Sequence, residues 1–319
     1  MGSTSVLNRV PLTYPESGVG ATQGIHSRPT AIVALPSGHH VAYEEFGDPH
    51  GLPFLYFHDG GSSRLECAFL HTSAQAHGYR LIAPDRPGIG CSSYYSNATA
   101  QEIAHDTLQL ADKLNLAKFG VISQGAGGIF ALALAHACPD RVHGFISLAG
   151  VPGSVFSESS AGSELIQWLG LGVPSLVKLA VRFRFALFTE EPGASFKRLL
   201  QQLPQADRSV LKEPNVRQAL ERDQREMMRQ GCRGLAQDLS NCFRKLDFSL
   251  ADVTVPTSIW QGRSDCLSQR SDCEFMASHM PAASYHRVSN GGHFFFIHSI
   301  DSVFSRLRGR SRAEAALAA

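Results

Sequence analysis

Short apolar runs alternate with helix-length segments along most of this chain, and that alternation restricts the fold more than any other feature. The runs are AIVAL (31–35), HVAYEEF (40–46), PFLYFH (53–58), YRLIAP (79–84), KFGVI (118–122), HGFISLA (143–149), TSIWQG (257–262) and SYHRV (284–288). Stretches with helical pattern cover 100–114, 126–137 and 294–307. Strand, helix and strand in succession need crossover connections, so most strands run parallel and both sheet faces are covered by helices. The first two runs flank Pro36-Ser37-Gly38, a turn sequence that predicts a hairpin. The expected fold is therefore α/β, with a mostly parallel eight-stranded sheet.

One interval breaks this rhythm. Residues 152–249 carry helical pattern only, interrupted by Pro174, Pro192, Pro204 and Pro214. An all-helical insertion between two strands predicts a lid over the edge of the sheet. Its stripe of Trp168, Leu169, Leu176, Leu179, Phe183, Phe185 and Phe188 is expected to be mostly core packing, with part of it walling a pocket. Residues 1–28, rich in Ser, Gly, Pro and Thr without apolar period, predict a mobile arm. The core domain is then 29–151 together with 250–319.

A formal net charge of +1, with 18% charged and 43% hydrophobic residues, gives no electrostatic reason to expect nucleic acid or anionic lipid as a partner. The expected ligand is a small, mainly apolar molecule. Seven cysteines without paired spacing suit reduced thiols better than a disulfide framework or a zinc site. No apolar run is long enough to span a bilayer and the first residues lack a secretory core, so the expected location is cytoplasmic. No sequence pattern calls for a cofactor or a metal, and oligomeric state is not legible.

The segment Phe119-Gly120-Val121-Ile122-Ser123-Gln124-Gly125-Ala126-Gly127-Gly128-Ile129-Phe130-Ala131 is a strand entering a glycine-rich turn and then a helix of small residues. That is the context of a nucleophile elbow, where small residues let strand and helix approach closely. Four further motifs follow the same logic of loops at strand ends. HDGGSSR (58–64) follows the third run, APDRPGIGCSS (83–93) the fourth, and Gln261-Gly262-Arg263-Ser264-Asp265 and Asn290-Gly291-Gly292-His293 lie near the C-terminus. Taken together, these resemble the α/β-hydrolase superfamily from about Val33 to Leu307. The resemblance implies an oxyanion loop at 58–64, an acid at Asp265, a base at His293, and an α/β-hydrolase fold with a helical lid.

The register at the elbow decides the chemistry. With Gly125 at the nucleophile position, Ser123, Gly127, Gly128 and Ala131 fall where small residues are required. With Ser123 there instead, the β-branched Val121 would sit two residues before it in a tight turn. The first register leaves no triad serine, and losing that nucleophile costs on the order of 10⁶ in turnover in a serine hydrolase. What remains is His293 oriented by Asp265, worth about 10² to 10⁴ as a positioned acid or base. The backbone N–H of Ala126 is retained as well.

Asp59, where the resemblance implies glycine, either faces the pocket as a second acid or base or turns outward to solvent or to Arg64. A carboxylate beside an oxyanion hole opposes ester cleavage. His58, Gly60, Gln124, Gly125 and Ala126 are expected around the substrate. Cys91 reads as a turn residue. The expected function is non-covalent chemistry by His293, Asp265 and Asp59: lyase, isomerase, cyclase or aldol type, or water addition. Use of this fold in natural-product biosynthesis is a fold-level analogy. The alternatives are a small-molecule receptor that has lost catalysis, or an esterase using Ser123.

Overall fold

The computed structural model describes residues 8–9, 29–151 and 200–317, with side chains described over 29–151 and 200–307. All eight expected strands form: β2 Ala31–Ala34, β3 His40–Gly47, β4 Leu52–Phe57, β5 Tyr79–Pro84, β6 Phe119–Gln124, β7 Val142–Leu148, β8 Thr257–Gly262 and β9 Ala283–Val288. A ninth, β1 Asn8–Arg9, pairs with Ala31 and Ile32 at the sheet edge, so part of the segment expected to be an arm joins the sheet. The rest of that expectation, the 152–199 part of the lid and its aromatic stripe lie outside the described residues.

The sheet order is β1-β2-β3-β5-β4-β6-β7-β8-β9. The pairs β1–β2, β2–β3 and β3–β5 are antiparallel, and the five pairs from β5–β4 to β8–β9 are parallel. After β4 the chain moves to one side to make β5, then returns to the other side to make β6. This reversal makes β4 and β6 the switch point of the sheet, and open α/β sheets place their ligands outside the carboxyl ends of such strands.

Described helices are α1 His71–His77, α2 Ala100–Lys113, α3 Gly128–Ala137, α4 Gln205–Leu211, α5 Pro214–Met227, α6 Arg233–Cys242, α7 Arg270–His279 and α8 Phe296–Leu317. A capping box at Thr99 and Glu102 starts α2. The small residues of α3 let it sink so deeply that Gly128 through Ala135 are all buried. One core packs β4 to β8 against α2, α3 and α7, and a second packs the other face against α1 and α8 through Phe296, Ile300, Val303 and Phe304. Sequence pattern missed α1, α7 and the 3₁₀ helix Arg64–Leu70. In the last of these, Arg64 and Glu66 are buried, so its polar residues do not mark the solvent face. The described part of the expected lid is helical, as α4 to α6. No described helix is long and apolar enough to cross a membrane.

Candidate active site

The turn between β6 and α3 falls on Gly125, which has φ +45°, a left-handed conformation that side chains seldom adopt. Gly127 packs against the Phe57 and His58 carbonyls with no room for a Cβ. At Gly128 a Cβ would meet Val151, with the Ser123 hydroxyl 3.4 Å away. Ser123 lies within β6, fully buried, and its Oγ has no hydrogen-bond partner. The turn thus puts Gly125 at its apex and Ser123 behind it.

Parallel register pairs Phe57 of β4 with Ser123 of β6. Two residues further along each chain, Asp59 and Gly125 meet above the sheet. Asp59 Oδ1 accepts from the Ala126 N–H and from the Gly60 N–H, both at 2.7 Å. Its Oδ2 is 3.2 Å from His293 Nε2. On the other side of the ring, His293 Nδ1 lies 3.1 Å from Asp265 Oδ2. Asp265 Oδ1 in turn accepts from the Leu267 and Ser268 N–H groups, which holds it still. Asp265 and His293 are buried, whereas the Asp59 side chain is 23% exposed and forms the open face of the group.

These contacts set the charges. Burial works to lower the imidazole of His293, but hydrogen bonds and charge from Asp265 and Asp59 hold it well above the usual histidine value. Burial works to raise Asp59, and is outweighed by the His293 bond and charge and by the two backbone donors, so its carboxyl stays below the usual range. A positive ring at His293 and a negative carboxylate at Asp59 therefore favour one another.

The carboxylate of Asp59 is braced from behind. Its N–H donates to Glu66 Oε2 at 2.9 Å, and the Tyr56 hydroxyl donates to the same oxygen at 2.8 Å. Burial, with the charges of Asp59 and Asp223, pushes Glu66 up to about 8. Arg86 donates to the carbonyls of His58 (2.6 Å) and Asp59 (2.9 Å) while paired with Asp238 of α6. Asp223 of α5 accepts from the Ser62 and Ser63 hydroxyls and from the Ser63 N–H. Asp207 of α4 accepts from the N–H groups of His293 (3.0 Å) and Phe294 (2.9 Å), and a Cβ on Gly292 would collide with it. Three carboxylates from the helical segment therefore grip the loops that carry Asp59 and His293.

The expected residues fall unevenly. Asp59, Gly60, Gly125, Ala126, Asp265 and His293 converge. The outward alternative for Asp59 is excluded by its partners, since Arg64 is taken by Asp85, Glu226 and Glu44. His58 was expected against substrate, but it is completely buried, with Nδ1 on the Asp59 carbonyl, and supports the loop instead. Gln124 is 1% exposed and its amide donates to the His293 carbonyl at 3.3 Å, so it too braces rather than lines the site. Cys91 sits in a turn, its thiol raised by burial. Glu66, Asp207, Asp223 and Asp238 carry no sequence signal. Only Arg86, within the APDRPG motif, had one.

Comparison with known proteins agrees with this fold. A family model described as alpha/beta hydrolase fold matches residues 50–299. An uncharacterized hydrolase, YcgS, of Bacillus subtilis is 24% identical over 257 residues, covering 77% of this chain and 86% of the relative. Among solved structures, a hydrolase from Pseudomonas aeruginosa PA01 superposes with TM-score 0.68 at 18% identity, over 87% of this chain and 96% of that one. The enol-lactonase from Burkholderia xenovorans LB400 gives 0.67 at 17% identity, over 87% and 98%. With strand order, elbow turn and His–Asp pair in place and the family model spanning most of its length, the chain belongs to the alpha/beta hydrolase fold family.

Proposed function

We propose that this protein is an enzyme that has replaced serine chemistry by the unit Asp59–His293–Asp265, and that it moves protons on a small, mainly apolar molecule held at the carboxyl edge of the sheet. The observation that carries this reading is the seat of the Asp59 carboxylate. It fills the space a side chain at 125 would occupy and takes up the Ala126 and Gly60 N–H groups. A tetrahedral oxyanion from ester cleavage would need those same donors, and would meet a negative charge already on them.

Protonated His293 is the acid of the pair, and ionised Asp59, exposed toward the ligand, is the base. Each is oriented by a further group, His293 by Asp265 and Asp59 by the two backbone amides. An acid and a base side by side suit lyase, isomerase, cyclase or aldol-type steps, or water addition, in which one proton is removed as another is delivered. The reading gives Ser123 no part, since it lies within β6, two residues before the turn, and its buried hydroxyl has no hydrogen-bond partner. A small-molecule receptor is the rival class, and the retained ion triplet weighs against it, since binding alone gains nothing from a buried charge of this kind.

The same geometry favours one variant of the reading. In that variant Asp59 Oδ2 attacks a carbon bearing an oxygen leaving group while Oδ1 stays on its two amides, and the carbon–oxygen bond breaks as the departing oxygen takes the proton of His293 Nε2. The resulting ester would lose the negative charge that raises His293, so the ring would become neutral and able to deprotonate water. Incubation with metabolite extracts followed by mass spectrometry should show a compound converted by wild type but not by Asp59→Asn or His293→Ala. Single turnover in ¹⁸O water then separates the variants, with label appearing in Asp59 only if an ester forms. A compound converted equally by wild type and both variants would sink the proposal.

A further inference from the structure

Asp59 and His293 reach one another from opposite sides of the site. The loops of His293 and Asp265 are joined: the Ser264 N–H donates to the Gly291 carbonyl at 2.9 Å, and Gly262 packs on the Gly291 and Gly292 carbonyls with no room for a Cβ. Asp59 stands on the loop between β4 and the 3₁₀ helix Arg64–Leu70. The pair itself crosses between the two sides through the 3.2 Å contact of His293 Nε2 with Asp59 Oδ2. Strand β6 and its turn serve both sides as well, through Gln124 on the His293 carbonyl and the Ala126 N–H on Asp59.

The helices α4 and α5 bridge the same two sides. Asp207 of α4, 1% exposed, spreads its carboxylate over two successive backbone donors, Oδ2 on the His293 N–H at 3.0 Å and Oδ1 on the Phe294 N–H at 2.9 Å. Asp223 of α5 holds the Asp59 side, accepting from the Ser62 hydroxyl and from the Ser63 N–H. Apolar contacts repeat the pattern. Leu203, Leu211 and Val216 pack with Phe294 and Ile297 on the His293 side and with Phe69 of the 3₁₀ helix on the Asp59 side. Phe294 also meets the imidazole edge-on, 5.4 Å between ring centres.

Two successive N–H groups held by one carboxylate fix the peptide planes on either side of His293, and so the direction in which its side chain leaves the backbone. Gly292 makes that approach feasible, since a Cβ there would lie 2.3 Å from each atom of the Asp207 carboxyl group. Precision of this kind matters, because a misplacement of about 1 Å can cost on the order of 10² in rate.

We propose that Asp207 is the positioning residue of His293. Through α4, α5 and Asp223 it sets the ring within hydrogen-bond reach of Asp59, so that the helical segment decides whether acid and base meet. This rests on the reading of Asp59 and His293 as the working pair, but its test measures their contact and not turnover, so the two fail separately.

A double-variant cycle on the titration of the His293 ring, followed by NMR of the full chain, isolates that contact. Among the described residues, Asp59 and Asp265 are the charged side chains that touch the ring, and both favour its protonated form. Asp59→Asn should therefore lower the titration when residue 207 is Asp. In an Asp207→Ala background the same change should shift it by less than about half as much, because the ring has left Asp59. Asp207→Asn, which gives up the charge but keeps one acceptor for a backbone N–H, should fall between. A residue that acted only as a nearby charge, or only in holding α4, would lower the titration or the melting temperature and leave the Asp59 effect whole; that result would overturn the proposal. So would an Asp59 effect absent with Asp207 in place, since there would be no contact to set. If Asp207→Ala does not fold, Asp207→Asn decides alone, a reduced Asp59 effect supporting the proposal and a full one overturning it.

Discussion

Gly125 has no side chain at the point where Asp59 has its carboxylate: a Cβ built on Gly125 would lie 2.7 Å from Asp59 Cγ and closer still to Oδ1. The two residues are complementary. The glycine is needed less for its turn, which a serine tolerates in this elbow, than for the room it leaves to a carboxylate arriving from β4.

Restoring serine at 125 alone should therefore fail. Gly125→Ser should be destabilised by about 1–3 kcal/mol through overpacking against Asp59 and remain unreactive to a fluorophosphonate. The double variant Gly125→Ser, Asp59→Gly frees the space and both backbone donors, and should be labelled at residue 125. Intact-mass spectrometry reads the adduct. Labelling of the single variant as fast as the double would show that Asp59 does not hold the position.

Charge at His293 depends on both of its carboxylates. Asp59→Asn removes one, so the imidazole should titrate at lower pH than in wild type, and Asp265→Asn should do the same. Carbon- or nitrogen-detected NMR of the histidine ring follows this directly. An unmoved titration in Asp59→Asn would mean that the 3.2 Å contact is not made in solution.

His293→Ala and Asp265→Asn should each reduce conversion of the native substrate by about 10² to 10⁴ while leaving ligand affinity within a few fold. Their effects should not add, because Asp265 acts through the ring it orients. Additive losses in the double variant would point to independent roles.

Stability should fall as pH rises above neutrality. Burial and neighbouring carboxylates raise Glu66 from 4.5 to about 8, and burial, first among the causes, raises Asp223 from 3.8 to about 7. Between those values the folded chain holds protons that the unfolded chain has released, so each step upward in pH favours unfolding. His293, also raised, acts in the same direction above its ordinary 6.5. His58, held low by burial and Arg86, opposes this only below about 6.5. The melting temperature should thus drop by several degrees from about pH 6.5 to about pH 8.5, and drop less in Glu66→Gln. An equal drop in that variant would remove Glu66 from the account.

Much of this architecture was legible in residue pattern. Each of the eight apolar runs became a strand, and Asp265 and His293 stand in the loops behind β8 and β9, because strand periodicity and loop position are local properties. The elbow register was legible too, since the size limits around Gly125 act between residues a few positions apart. The direction of Asp59 was not. Turning inward or toward Arg64 were equal on local grounds. The choice was made by the Phe57–Ser123 register and by Asp85, Glu226 and Glu44 engaging Arg64 first. His58 and Gln124 were misplaced for the same reason, as their burial depends on what packs from elsewhere. Asp207, Asp223 and Asp238 lie on helices where a carboxylate ordinarily marks the solvent face. Only tertiary contact, across as many as 161 positions between Ser62 and Asp223, turns that polar face inward onto the loops of the site.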